Sequence, residues 1–82
     1  MISLIKSNKD NDSFVFARLL GMKVIELEQN DEVDNTIEVL IQNNCTSIVL
    51  SNEVAGFSED IIKKYKNDKN VNIYIAPSRK NK

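Results

Sequence analysis

The residues of this chain that could carry chemistry gather in the polar stretch from position 7 to position 13. Asp10 and Asp12 stand two positions apart there, directly after an apolar start that is typical of a strand. Two carboxylates at the end of a strand could hold Mg²⁺, which prefers hard oxygen ligands. A magnesium-dependent phosphoryl acceptor would also need an aspartate after a central strand, but the apolar run that ends at Leu50 is followed by Ser51. The pattern therefore favours helix capping and loop solvation as the roles of both aspartates.

Other kinds of catalytic site lack their central residue. The chain contains no histidine, which is the commonest general base and transition-metal ligand. Its two glycines, Gly21 and Gly56, are too far apart to form a phosphate-binding loop. Cys45 precedes an apolar run without a cationic neighbour, so a packed small residue is favoured over a nucleophile. We therefore predict no catalytic residue, no cofactor and no metal ligand, and we expect the chain to bind another protein.

Size and charge narrow the class of protein further. The chain has 82 residues and a net charge of −1, so we expect one α/β domain over residues 1–78 and a short basic tail over 79–82. The charge balance gives no general attraction to nucleic acid, and four lysines between positions 63 and 69 are best explained as a solvated helix end. No apolar run approaches the roughly 20 residues of a membrane span. The start lacks a signal-peptide pattern and a single cysteine fits the cytosol, so we predict a cytoplasmic location.

The element around which the other elements are arranged is the uncharged run at positions 46–51, Thr-Ser-Ile-Val-Leu-Ser. A run this short, flanked by turn-forming residues, indicates a strand that is buried on both faces. Such strands belong mostly to parallel sheets covered by helices. Further strands are predicted at 2–6, 22–28 and 71–76, and helices at 13–20, 31–42 and 58–66, with a short helical turn between 52 and 57.

The predicted order of elements, βαβαβαβ, determines a topology. Right-handed crossovers give a four-stranded parallel sheet with helices on both faces. The second strand carries several charges, and the fourth alternates between residues that point to opposite faces, so both should be edges of the sheet. The strand order is then 2-1-3-4. This is a small version of the flavodoxin-like or CheY-like order, in which ligands bind beside the carboxyl ends of the strands. A small-molecule site would therefore involve the loops at 7–12 and 51–53.

The first predicted helix carries more apolar residues than one face requires. Phe14, Phe16 and Leu19 are among six apolar residues distributed nearly all round it, and Gly21 follows in a position suited to end it. Either the helix is wedged deep in a small core, or one side covers the sheet and the other side covers a partner. Asp10, Asp12 or Ser13 could cap it.

Four short motifs along the chain resemble the F subunit of V-type, also called A-type, rotary ATPases. They stand at residues 10–13 (Asp-Asn-Asp-Ser), 17–24 (Ala-Arg-Leu-Leu-Gly-Met-Lys-Val), 49–55 (Val-Leu-Ser-Asn-Glu-Val-Ala) and 75–78 (Ile-Ala-Pro-Ser). The chain differs from the usual family pattern at three places. Lys9 replaces a glycine, Ala17 replaces a phenylalanine, and Ala76 is an extra residue before the proline.

The resemblance implies a non-catalytic central-stalk subunit of a proton- or sodium-translocating ATPase. Such a subunit binds the coiled-coil D subunit and lies peripheral to the membrane on the cytoplasmic side. We expect the partner to contact the first helix and the carboxyl end of the sheet, where small or polar residues allow another backbone to approach. The predicted partner-binding residues are Phe16, Arg18, Ser51, Asn52, Pro77 and Ser78.

Two alternatives remain open. Arg18 could be an ordinary surface residue of its helix, and Ser51, Pro77 and Ser78 could serve only to end strands. The chain as a whole could instead be a free-standing flavodoxin-like regulatory or ligand-binding domain. Its site would then be the crevice between Asp10, Asp12 and Ser51.

Overall fold

The structure, a computed structural model, describes residues 2–76 and contains the predicted four-stranded parallel sheet in the order β2-β1-β3-β4. The predicted fold class is therefore confirmed. The predicted tail at 79–82 lies outside the described residues. The strands are β1 (Ile2–Ser7), β2 (Val24–Leu27), β3 (Ser47–Leu50) and β4 (Asn72–Ile75); the helices are α1 (Val15–Leu19), α2 (Val33–Gln42), α3 (Asn52–Ala55) and α4 (Glu59–Lys64), with a 3-10 turn at Asn30–Glu32.

Strand register divides the sheet into two different faces. Ile5 of β1 lies in register with Ile25 of β2 and Leu50 of β3, and side chains in register share a face. This face, the core face, carries the main buried cluster. The next position along β1, Lys6, lies in register with Glu26 of β2, so both point to the opposite face. We call that second surface the α1 face.

The core face is covered mainly by α2. Val33, Ile37 and Leu40 recur at the spacing of one helical face, and all three are buried against the sheet. The helix ends where Asn44 adopts a left-handed backbone, with a φ of 69°, and the amide of the next residue, Cys45, donates to the Leu40 carbonyl. Cys45 is buried in the core cluster, as predicted for a packed small residue.

The two later helices complete this side of the core. Val54 of α3 is fully buried in the cluster, and Ile61 and Ile62 of α4 pack against it half-buried. The start of α3 is stabilised by Ser51, whose hydroxyl accepts a hydrogen bond from the Val54 amide at 3.4 Å. The sequence also suggests Ser58 as the cap of α4. Ser58 does occupy the N-cap position, but its hydroxyl donates to the Ala55 carbonyl and makes no capping hydrogen bond.

Helix α1 differs from the expectation in length and in burial. It spans Val15–Leu19 rather than 13–20, and none of its residues is buried, so the alternative of a helix wedged in the core is wrong. Phe14, with a left-handed φ of 61°, occupies the cap position without a side-chain hydrogen bond, so the predicted cap by Asp10, Asp12 or Ser13 is also wrong. The carboxylate of Asp10 instead holds residues 12 and 13 in a turn, which delays the start of the helix.

The end of α1 agrees with the prediction. Gly21 has a φ of 80°, a conformation that costs glycine little. The Gly21 amide donates to the Arg18 carbonyl and the Met22 amide donates to the Ala17 carbonyl, which together satisfy the last turn of the helix. None of the helices within residues 2–76 has the length and apolar character required to span a bilayer.

Leu50→Ala tests where the core lies. Leu50 is fully buried on the core face, and we expect its truncation to lower the free energy of unfolding by about 2–5 kcal/mol. Leu19→Ala, the same change at a side chain that is 76% exposed, should alter it by less than about 0.5 kcal/mol. Urea denaturation of both variants measures the difference. Equal midpoints would contradict a core centred on β3.

Candidate functional site

The loop between β1 and α1 is organised by the side chain of Asp10. Its Oδ1 accepts hydrogen bonds from the Asp12 amide at 2.9 Å and the Ser13 amide at 3.0 Å, and its Oδ2 accepts one from the Ser13 hydroxyl at 2.6 Å. Both carboxylate oxygens are therefore engaged within the loop. No group of three or more His, Cys, Asp or Glu side chains in residues 2–76 is arranged to hold a metal ion.

These contacts affect the protonation of Asp10. Burial on its own raises the pKa of the carboxyl, but the hydrogen bond from the Ser13 hydroxyl, the two amide hydrogen bonds and the charge of Lys6 together lower the pKa below its ordinary 3.8. The carboxylate thus stabilises the fold in its charged form. A ligand that used this carboxylate would have to displace hydrogen bonds that shape the loop.

A buried lysine connects this loop to the sheet. Lys6 of β1 is only 1% exposed, and its Nζ donates to the main-chain carbonyl oxygens of Asp10 and Ser7. The same Nζ lies 3.4 Å from Oε2 of Glu26 on the neighbouring strand. A buried ammonium is costly unless it is both paired and hydrogen-bonded, and Lys6 meets both conditions.

Glu26 joins a second cation to this group. Nη1 of Arg18, on α1, lies 3.3 Å from the same Oε2 that pairs with Lys6. Arg18 is 58% exposed and Glu26 is 38% exposed, so this pair lies nearer to solvent than the pair with Lys6. We refer to Lys6, Glu26 and Arg18 as the charge cluster. Because Glu26 points away from the main core, its contact with Arg18 shows that α1 lies on the α1 face of the sheet.

The outer side of α1 forms an exposed apolar surface. Phe16, Leu19 and Leu20 are 69%, 76% and 78% exposed, whereas Phe14 and Ala17 on the inner side are half-buried. Apolar side chains exposed next to one another commonly mark a site of protein contact. We call the exposed set the α1 patch; it comprises Val15, Phe16, Leu19, Leu20 and Met22.

The structure separates the predicted partner-binding residues into three groups. Phe16 and Arg18 both lie on α1, exposed. Ser51 and Asn52 lie at the carboxyl edge of the sheet, where Ser51 is buried with its hydroxyl engaged in the α3 cap, while Asn52 is exposed. Pro77 and Ser78 lie outside the described residues.

A shallow cleft is found away from the predicted crevice. It runs between α4 and the start of β4, and its lining residues are Ile62, Tyr65, Lys66, Val71, Asn72, Ile73 and Tyr74. The predicted crevice belongs to the opposite edge of the sheet, where strands end. The cleft therefore adds no support to a ligand site at Asp10, Asp12 and Ser51.

Asp10→Asn tests the loop through its pH dependence. Because the folded-state pKa is lowered, the charged carboxylate contributes stability above its unfolded pKa of about 3.8 and loses it as the pH falls through the lower folded value. We expect the free energy of unfolding of wild type to exceed that of Asp10→Asn by about 1 kcal/mol at pH 7. This difference should shrink towards pH 3. Asp12→Asn, which removes the same charge from the same loop, should show a smaller effect. A difference independent of pH would contradict this role of Asp10.

Comparison with known proteins identifies the family. A family model described as ATP synthase (F/14-kDa) subunit matches residues 9–82, which include the loop, the α1 patch and all elements after β1. Searches of curated proteins and of solved structures found no significant match. The matched region covers most of the chain and confirms the resemblance in its motifs. The chain therefore belongs to the ATP synthase F/14-kDa subunit family, a family of subunits of V/A-type rotary ATPases.

Proposed function

We propose that this chain is a non-catalytic central-stalk subunit of a V-type or A-type ATPase that translocates protons or sodium. In this role it binds the coiled-coil D subunit, together with other subunits of the complex. The observation that carries the proposal is the α1 patch, in which three large apolar side chains are more than two-thirds exposed on a short helix. Family membership supplies the context of a rotary ATPase.

The physical fit between patch and partner is that of two helices. Side chains at positions 15, 16, 19 and 20 form the ridges of one helical side, and such ridges pack into the grooves of another helix. Full burial of one large apolar side chain contributes about 1.5–3 kcal/mol. Phe16, Leu19 and Leu20 would together make the apolar centre of a helix–helix contact.

The carboxyl edge of the sheet would form the rim of the same interface. Asn52 is exposed there and can offer its amide to a partner. The Ser51 hydroxyl is engaged in the α3 cap, so its contribution would come from allowing a partner to approach closely. Pro77 and Ser78 complete the proposed contact set from the sequence. A subunit bound to the shaft in this way lies on the cytoplasmic side, peripheral to the membrane.

The alternative of a free-standing ligand-binding domain has weaker support. Its crevice would rely on Asp10, Asp12 and Ser51. Both Asp10 oxygens accept hydrogen bonds from the loop, and Ser51 is 1% exposed and caps a helix. Few of the polar groups that a ligand would need are therefore available, and the exposed apolar surface lies on α1 instead.

The pure chain should hydrolyse neither ATP nor phosphate esters. The sequence has no histidine and no phosphate-binding glycine loop, and the carboxylate of Asp10 is engaged in its own loop. Phosphate release from ATP and from a generic phosphate ester measures this. Turnover that disappears in Asp10→Asn or Asp12→Asn would contradict the non-catalytic assignment.

Phe16→Ser tests the patch directly. We expect this change to weaken binding of the D subunit by about tenfold to thirtyfold, because truncation of a central aromatic anchor typically costs about 1.4–2 kcal/mol. Phe57→Ser is the matched control, since Phe57 is 53% exposed in the segment between α3 and α4. Titration calorimetry with the D subunit of the same complex gives both dissociation constants.

Both variants should stay folded, since both side chains are exposed, and circular dichroism checks this. Equal affinity of Phe16→Ser and wild type would place the interface elsewhere. Equal losses in Phe16→Ser and Phe57→Ser would show a general effect of lost apolar surface rather than a specific α1 contact.

A further inference from the structure

We propose that Glu26 is the positioning residue of the α1 patch, and that Arg18 supports partner binding through Glu26 rather than by contacting the partner. This inference rests on the proposed function for its consequence in binding. Its structural part concerns the isolated chain and can be tested without any partner.

The two cations of the charge cluster differ in burial, and this difference supports the assignment. One oxygen of Glu26, Oε2, lies within 3.4 Å of Lys6 Nζ and 3.3 Å of Arg18 Nη1. Lys6 is 1% exposed and cannot exchange its carboxylate for water without a large penalty. Lys6 therefore fixes the position of the Glu26 carboxylate, and Arg18 binds to an acceptor that is already in place.

Helix α1 is short and lies at the surface of the protein. It is five residues long, none of its residues is buried, and its cap residue offers no side-chain hydrogen bond. A helix of this length is unstable without tertiary contacts. The cap residue Phe14 also has a left-handed backbone, which is unfavourable for a bulky side chain. Within residues 2–76, the ion pair of Arg18 joins this helix to the sheet, alongside the half-buried side chains of Phe14 and Ala17.

Lys6 also restrains the chain on both sides of α1. Before the helix, its ammonium donates to the Asp10 carbonyl in the loop. After the helix, it pairs with Glu26 in β2, four residues beyond Met22. The loop, the helix and the following strand are therefore all linked to the buried ammonium of Lys6, directly or through Glu26. These links orient the α1 patch.

This geometry gives Arg18 a carboxylate partner within its own chain. Its Nη1 lies 3.3 Å from Glu26 Oε2, so a partner carboxylate would share the guanidinium with Glu26. The two roles of Arg18 predict different combinations of mutational effects. A residue that acts through Glu26 loses its effect once Glu26 is neutralised, whereas a direct contact keeps its effect in that background.

The first experiment measures amide hydrogen exchange in the isolated chain by NMR at pH 6.5. We expect Glu26→Gln to speed exchange of the α1-terminal amides of Leu20, Gly21 and Met22 by about twofold to fivefold, the range expected for a partly exposed ion pair. The β3 amides should exchange as in wild type. Glu28→Gln, which removes the same charge two residues later at an exposed position, should change neither set.

Glu26→Gln also removes the carboxylate partner of a buried lysine and could destabilise the whole fold. A second variant avoids this. Arg18→Gln breaks only the exposed half of the cluster, leaves the Lys6–Glu26 pair intact, and should speed the same three amides. Unchanged α1 amides in Arg18→Gln would overturn the positioning role, and so would equal acceleration in α1 and β3.

The second experiment is a double-mutant cycle on D-subunit affinity with Arg18→Ala, Glu26→Gln and both together. If Arg18 acts through Glu26, the double variant should bind within about twofold of the weaker single variant. Losses that multiply would overturn the inference and make Arg18 a direct contact. Failure of wild type to bind the D subunit, with α1 still loosened in Arg18→Gln, would instead overturn the proposed function and leave the structural role of Glu26 standing.

Discussion

A buried ammonium group on a central strand is the constraint on which one whole side of this molecule depends. Lys6 is almost completely withdrawn from water, and the cost of burying its ammonium is offset by Glu26 and the two main-chain carbonyls that surround it. Those partners come from the neighbouring strand, from the last residue of β1 itself and from the β1–α1 loop. The register of β1 and β2 brings Glu26 to this charge. The loop contacts the same ammonium through the Asp10 carbonyl, and α1 joins the group through Arg18 and Glu26.

The two faces of the sheet differ in how much apolar surface they bury. On the core face, Ile5, Ile48 and Leu50 are fully buried beneath α2, α3 and α4, and this cluster accounts for most of the apolar burial. On the α1 face, a short helix held by charged contacts exposes Phe16 and Leu19. Because the side chains of the α1 patch lie outside the core cluster, we expect their replacement to leave the fold intact.

Much of this architecture could be predicted from local pattern. The apolar run at 46–51 indicates a central strand, whereas charge on the second strand and alternation of apolar and polar residues on the fourth mark both as edges. Together with right-handed crossovers these patterns give the order 2-1-3-4, which the structure confirms. The extent of α1 could not be predicted in this way, because Ser13 looks like a cap but is held in a turn by Asp10. Ser51 also looked available from its position, whereas its hydroxyl caps α3.

The charge cluster could not be predicted from the sequence for a different reason. Lys6 and Glu26 are twenty positions apart, and only the register of two parallel strands brings them together. In the sequence, Lys6 simply ends an apolar run and Glu26 marks a charged edge strand. The signal that could reveal them is the matching position of opposite charges near the ends of two adjacent strands. In the folded chain this register places both charges on the α1 face, where Arg18 of α1 also reaches Glu26.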